Sequence, residues 1–163
     1  MLTNNGKAVC FISDYWEGHN PRYILCRTNG QIATFERKTE NFPAEMNFNY
    51  VCNNLEIIIG SGTTAATVYE IKLENEITAN HLRCLYKRSQ NAVSCNRSYT
   101  SPLIMHATKT YYNNSKSEDI IINEIGLITK DGYDFNYLLA REVLEEPIIL
   151  SPNENITFTI SID

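Results

Sequence analysis

Hydrophobic and polar residues alternate along much of the chain, most clearly near its end. Ile156, Phe158, Ile160 and Ile162 are separated from one another by Thr and Ser residues. Because successive side chains of a β-strand point to opposite faces, this spacing places four apolar side chains on one face of a sheet. Residues 81–88 alternate in the same way. Both segments are predicted to be half-buried strands.

Other segments are rich in β-branched and aromatic residues, which favour strands. These segments are residues 8–13, 22–28, 31–36, 55–59, 103–112, 120–129, 134–141 and 147–150. Asn29-Gly30 and Asp131-Gly132 each predict a hairpin, because both dipeptides suit tight turns between strands. Nine or ten short strands with regular turns predict an all-β fold, an antiparallel β-sandwich or jelly roll, as a single domain over residues 1–163.

Helical segments are predicted to be few. Residues 43–54 begin after Phe42 with Pro-Ala-Glu and could form one or two turns. Residues 138–146 have high helix propensity, but an Asp-Gly turn precedes them and Pro147 follows them. We therefore expect a β-fold with at most one or two short helical turns.

Size and composition indicate a folded chain of ordinary globular character. The chain has 163 residues, of which 43% are hydrophobic and 20% are charged, and both fractions are typical of folded domains. No apolar run approaches the roughly 20 residues of a membrane-spanning helix, and we expect neither a membrane association nor a secretory signal. The net charge of −5 argues against general binding to nucleic acid, which is a polyanion.

The cysteines are odd in number and lack the spacing of a metal site. There are five of them: Cys10, Cys26, Cys52, Cys84 and Cys95. No C-x-x-C pair occurs, which argues against a zinc ribbon and a thioredoxin-like motif. Several of these residues lie in apolar runs, where they are predicted to be buried free thiols, consistent with folding in a reducing cytoplasm.

The sequence contains no recognisable catalytic, cofactor-binding or metal-binding constellation. His19, His81 and His106 are too far apart in sequence to form a local metal pair. The run from Gly60 through Gly62 to Thr64 is rich in glycine, but the lysine that a phosphate-binding loop requires is missing. We interpret this run as a tight turn with a wall of hydroxyl groups. A Cys–His catalytic pair could be assembled only through the fold, and the sequence favours no particular pair.

Glu124 is the most informative charged residue. It lies within residues 120–128, a nearly continuous apolar strand, and a buried carboxylate needs a partner because its desolvation is costly. If the chain reverses near Gly132, Arg141 returns opposite residues 122–124. We therefore predict a Glu124–Arg141 pair that fixes the register of the two strands.

Two further features are candidates for special roles. Gly126 lies inside a predicted strand, which indicates a bulge or a close approach of the backbone. Tyr15 and Trp16 could form an exposed aromatic loop that stacks on a sugar ring or packs against a protein partner. The alternative for Trp16 is that it caps the hydrophobic core.

Two separated stretches of the sequence together form a recognisable pattern. The first is Ile-Ile-Gly-Ser-Gly-Thr-Thr at residues 58–64, followed by Leu-Glu-Asn-Glu-Ile at residues 73–77. The second begins with Ile-Asn-Glu-Ile-Gly-Leu-Ile at residues 122–128, continues with Tyr-Leu-Leu-Ala-Arg at residues 137–141, and ends in residues 147–160. Together they are similar to phage tail, collar, neck and head-decoration proteins, and more loosely to structural proteins of crAss-like phages.

One position departs from this pattern. The related proteins commonly have Pro-Gly where this chain has Pro152-Asn153. Asparagine tolerates the left-handed backbone conformation better than other non-glycine residues, so we expect the turn to be preserved.

The resemblance covers about residues 57–163 and implies a non-enzymatic β-sandwich that works by assembly. It implies that the protein binds copies of itself and neighbouring virion proteins, needs no cofactor, and is assembled into virions in the host cytoplasm. Residues 1–56 carry no motif of this kind. They either complete the sandwich with extra strands or form a docking arm.

Two alternative functions differ in kind from this one. The first is a jelly-roll module that binds carbohydrate, with Tyr15, Trp16 and the pair Tyr111-Tyr112 as an aromatic platform. The second is a small hydrolase, which would need a converging acid–base constellation. The sequence contains one Trp and shows no evident calcium ligands, so both alternatives have less support than the virion hypothesis.

Overall fold

The computed structural model describes residues 1–7, 22–36, 54–78, 82–84, 95–96, 104–130 and 135–162. Within them the chain is mostly β, with one helical turn at residues 4–7. The strands are β1 (Arg22–Cys26), β2 (Ile32–Glu36), β3 (Glu56–Gly60), β4 (Leu82–Cys84), β5 (Cys95–Asn96), β6 (Ile104–Asn113), β7 (Ile120–Lys130), β8 (Asn136–Leu150) and β9 (Asn155–Ile162). The predicted strand 8–13, nearly all of the predicted helical segment 43–54, Tyr15, Trp16 and Gly132 lie outside the described residues.

The strands form three antiparallel sheets in a sandwich-like arrangement, as the alternation of the sequence predicts. β1 and β2 form a hairpin, and β7 lies between β3 and β8 in a second sheet. In the third sheet β6 pairs with β9 along one edge, while β4 and β5 pair with the two ends of β6 along the other. The short β5 is a strand that the sequence pattern did not predict.

The main hydrophobic core contains buried side chains from the second and third sheets. Ile57, Ile122 and Leu139 from the β3-β7-β8 sheet belong to the same buried cluster as Tyr111 and Phe158 from the β6-β9 pair. The Tyr111 hydroxyl donates a hydrogen bond of 2.5 Å to the carbonyl of Ile57 and so joins the two sheets. The predicted alternation of β9 is present, with Phe158 8% exposed. On the other face of β6 and β9, threonine hydroxyls pair across the strands.

The β7–β8 hairpin differs from the predicted hairpin in register. Arg141 pairs with Gly126 rather than with residues 122–124. Five residues separate the paired Lys130 and Asn136, where a two-residue Asp-Gly turn was expected, and this moves the register by three positions. A bulge at Leu139 adds a fourth position. Because side chains alternate with a period of two, an even shift leaves Arg141 on the face where it was predicted.

β8 is one long strand rather than the two that the sequence indicated. It continues through residues 142–146, which have high helix propensity. A second irregularity in the pairing lies between Ile122 and Glu124 on β7. It accommodates additional residues of β8, and Pro147 is one of them. Proline within a sheet is tolerated at such irregular positions because it cannot donate to the ladder.

The outward face of the β3-β7-β8 sheet is covered by a loop. The loop begins after β3, where Ser61 N donates to the carbonyl of Asn75 (2.9 Å) and closes its base. We call residues 62–74 the strap. It is a compact loop with adjacent ends, like an Ω-loop. Leu73 of the strap packs in a second small cluster with Ile58, Ile128 and Leu138.

The first residues of the chain pair with β8. Met1 and Arg141 exchange two backbone hydrogen bonds of 2.9 and 3.0 Å, and Thr3 N donates to the carbonyl of Leu139 (2.9 Å). The Asn5 side chain bonds both the N–H and the carbonyl of Cys26, at 2.9 and 2.7 Å. These residues therefore connect β8 to β1. Leu25 of β1 is fully buried in the main core, so described parts of residues 1–56 contribute to it.

Two turns have the left-handed backbone that their sequences favour. Gly30 has a φ of +86° in the β1–β2 hairpin, and its N–H donates to the carbonyl of Arg27. Asn153 has a φ of +65° in the turn before β9, so the turn keeps the left-handed residue that Pro-Gly would supply. The expectation that Asn153 adopts the left-handed conformation and preserves the turn is confirmed.

Candidate functional site

The carboxylate of Glu124 is the centre of a buried charge cluster on the outward face of the β3-β7-β8 sheet. Glu124 is fully buried, because the strap lies over it. Its Oε1 accepts hydrogen bonds from the backbone N–H groups of Gly62 (3.1 Å) and Asn75 (2.8 Å). Its Oε2 accepts from the N–H of Glu74 (3.2 Å) and from Nε of Arg141 (2.6 Å). Both carboxylate oxygens are therefore satisfied, and three of the four bonds come from backbone N–H groups at the two ends of the strap and at Asn75 just after it.

Arg141 forms the ion pair with Glu124 that the sequence predicts, and it also contacts the strap. Its side chain is 2% exposed. Besides its bond to Glu124, Nη1 lies 2.6 Å from Oε1 of Glu70, and Nη2 lies 3.5 Å from Oε2 of Glu74. One guanidinium thus faces three carboxylates, which gives the cluster a formal charge of −2. The guanidinium joins β7 to two separate points on the strap.

Opposing effects determine the proton affinity of Glu124. Burial would raise its pKa, but the hydrogen bonds from Asn75, Arg141, Glu74 and Gly62 outweigh burial and hold the pKa below its usual range. The backbone and hydroxyl of Thr64 likewise lower the pKa of Glu74. Glu124 is therefore charged at neutral pH.

The glycines of the first resembling stretch make room for this carboxylate. A Cβ at Gly60 would overlap Oε1 of Glu124, and one at Gly62 would lie 2.5 Å from Cβ of Glu74 and 2.7 Å from Oε1 of Glu124. Gly60 is the last residue of β3. Among the described glycines only Gly30 has a positive φ. Residues 61–63 lie in no turn, so the interpretation of this run as a tight turn is wrong. Its glycines instead provide space for the side chains of Glu124 and Glu74.

Gly126 also provides space. It pairs in regular register with Ile58 and Arg141. Of the two alternatives predicted for Gly126, a bulge or a close approach, the bulge is therefore not found at this residue. A Cβ there would lie 2.8 Å from Cδ2 of Leu73 and 3.1 Å from Cδ1 of Leu138. The close approach predicted at Gly126 thus comes from the side chains of the small cluster under the strap.

One residue of the aromatic platform expected of a carbohydrate-binding module is buried. Tyr111 is 3% exposed, and its ring packs edge-on against Phe158 with centroids 6.3 Å apart. Only Tyr112 of the pair is partly exposed, and its hydroxyl bonds Oδ1 of Asn153. The prediction of Tyr111 as a surface residue is wrong, because it lies on the inward face of β6.

Asn113 is a buried polar residue that sequence reasoning missed. It is fully buried, and its Nδ2 donates to the carbonyls of Glu118 and Leu150, both at 2.8 Å. Its Oδ1 accepts from Ser115 N (2.9 Å). Its backbone bonds the turn that precedes β9. The sequence signal was an asparagine at the end of a strand before a polar loop, which is too common to identify such a role.

The remaining features of the described residues suggest no specific chemistry. A cleft of about 440 Å³ is open between the sheets, lined by Leu2, Ile125 and Leu144 on one side and by Phe158 and Ile160 on the other. Within the described ranges there is no group of three or more His, Cys, Asp or Glu residues arranged to hold a metal ion. No helix in the described part of the chain is both long and apolar enough to span a membrane.

Comparisons with protein-family models, with curated proteins and with solved structures found no match to this chain.

Proposed function

We propose that this protein is a non-enzymatic structural component of a bacteriophage virion, in the neck, tail, collar or head-decoration apparatus. It assembles with copies of itself and with neighbouring virion proteins, after synthesis in the host cytoplasm. The basis of the proposal is the resemblance of residues 58–77 and 122–160 to such proteins.

One structural observation carries the proposal beyond sequence similarity. The separate pieces of the resemblance meet at a single point, the carboxylate of Glu124. The first stretch supplies the N–H groups of Gly62 and Asn75, and the second supplies Glu124 itself and Arg141. The pieces are up to 62 residues apart in sequence. The two stretches therefore build one packing arrangement in this chain. Because they act together, their joint occurrence supports the assignment to one structural class.

The chemistry of the cluster is suited to a structural role. Every oxygen of Glu124 is bonded to a group that fixes the strap or β8. A buried carboxylate held by three backbone N–H groups and a guanidinium has its pKa lowered, so it is a poor proton acceptor near neutral pH. The cluster thus holds a loop in one position on a sheet, which suits a protein whose surface loops contact neighbouring subunits.

Self-assembly is tested by the mass of the purified protein in solution. Light scattering over a range of concentrations should give a defined multiple of 18.7 kDa. A protein that stays at the monomer mass at every concentration would argue against self-assembly. The Glu145→Gln variant, altered at an exposed position of β8, measured alongside, would show whether a change of surface charge alone alters the mass.

A further inference from the structure

The strap is held on the sheet by charge to an unusual extent. Its ends are fixed by the N–H groups of Gly62 and Glu74, which donate to Glu124. Its middle is fixed by Glu70, which accepts a hydrogen bond from Arg141, and by the carbonyl of Val68, which accepts one of 2.7 Å from Asn4 N. By contrast, Leu73 is its one side chain in the small buried cluster. A segment with one side chain in that cluster and both ends held by one carboxylate is expected to open locally at a lower free energy than the core.

The cluster under the strap carries more negative than positive charge. Glu70 Oε2 is buried and has no hydrogen-bond partner within the described parts of the chain. The titratable and charged groups that surround Glu124 are Arg141 on β8, Glu70 and Glu74 on the strap, Glu76 just after it, and the α-ammonium of Met1, which donates to the carbonyl of Arg141. Only the charge on Glu124 allows its two oxygens to accept all four hydrogen bonds at once.

We propose that the strap, residues 62–74, is a latch that opens as a unit when Glu124 loses its charge, while the two packed sheets stay folded. Protonation removes one of the four acceptor positions of Glu124, and replacement by glutamine removes two. Either change therefore leaves donors at the ends of the strap without an acceptor. Opening uncovers Ile58, Ile128 and Leu138 on the sheet. The proposal rests on this geometry and is independent of the virion function.

The sign of the pH dependence follows from the bonding. The hydrogen bonds favour the charged form and lower the pKa of Glu124. The strap is therefore fully held above the ordinary pKa of a glutamate, and it is released as the pH falls through the lowered value in the folded protein.

Hydrogen exchange measured by mass spectrometry on the full chain tests the latch. At one fixed pH near neutrality, Glu124→Gln should make peptides covering residues 62–75 exchange at least about tenfold faster than in the wild type. Peptides from β6 and β9 should change by less than about twofold. The matched control Glu145→Gln, at an exposed position of β8, should change neither region.

Two further measurements keep the proposal open to refutation if Glu124→Gln folds poorly. Gly62→Ala leaves every charge in place but adds a Cβ that meets Glu74 and Glu124, and it should also accelerate exchange of the strap alone. In the wild type, acidification should remove protection from the strap before it removes protection from β6 and β9, after correction for the intrinsic exchange rate. Loss of protection in all regions together, or an unchanged strap in both variants, would overturn the proposal.

Discussion

Replacing Arg141 by methionine should strongly destabilise the protein, because it removes one partner of a buried ion pair. Arg141 is 2% exposed, and among the described residues it is the only one whose guanidinium contacts Glu124. Methionine fills much of the same volume but leaves Glu124, Glu70 and Glu74 close together without a positive charge. Removing one partner of a buried ion pair costs about 3–5 kcal/mol, and we expect a loss in this range for Arg141→Met. Such a loss is a large part of the roughly 5–15 kcal/mol that stabilises a typical domain.

Urea unfolding followed by circular dichroism measures this loss. In a chain of this size each kcal/mol also lowers Tm by about 2–4 °C, which provides a second measurement. The matched control is Lys116→Met, which removes a positive charge from an exposed loop position and should change stability by less than about 0.5 kcal/mol. The double variant with Glu124→Gln should lose less than the sum of the two single variants, by about 1–3 kcal/mol. Additive losses, or a loss below about 1 kcal/mol for Arg141→Met, would refute the reasoning.

Four further predictions follow from named contacts, each measured by urea unfolding. The free energy of unfolding of the wild type should exceed that of Glu124→Gln fully near pH 7, and the difference should vanish in acid. The pKa of Glu124 is lowered in the folded protein, so the difference is lost as the carboxylate is protonated. A difference independent of pH would contradict this. Asn153→Ala should cost about 1–2 kcal/mol while Asn153→Gly costs nothing, since only the former strains a φ of +65°. Gly126→Ala should cost about 1–3 kcal/mol because its Cβ would meet Leu73 at 2.8 Å. Asn113→Ala should cost at least about 2 kcal/mol, since it removes a buried side chain that makes three hydrogen bonds.

The strands and the central ion pair could be predicted from sequence because each depends on a simple rule. Alternation identified the two faces of β9, and the cost of an isolated buried charge required a partner for Glu124. The exact register was predicted wrongly, because neither the five residues between Lys130 and Asn136 nor the bulge at Leu139 leaves a signal in the hydrophobic pattern. The pair survives the error because the two deviations sum to an even number of residues.

The strap could not be predicted because most of the hydrogen bonds that hold its ends to Glu124 come from the backbone rather than from side chains. Three of the four donors to Glu124 are backbone N–H groups, and every non-proline residue has one. Gly60 and Gly62 were noticed as a glycine-rich run, but their role depends on a carboxylate more than 60 residues away. The same holds for Asn113, whose partners are mostly carbonyl groups from other parts of the chain.

The most direct measurement of the central claim is the content of this protein in purified virions. Particles from a phage lysate that contains the protein would be banded by density, and its peptides would be quantified by mass spectrometry against those of the other particle proteins. The proposal predicts that the protein co-migrates with the particles in a constant number of copies per particle across the band. A protein that is abundant in the lysate but absent from the banded particles would contradict it.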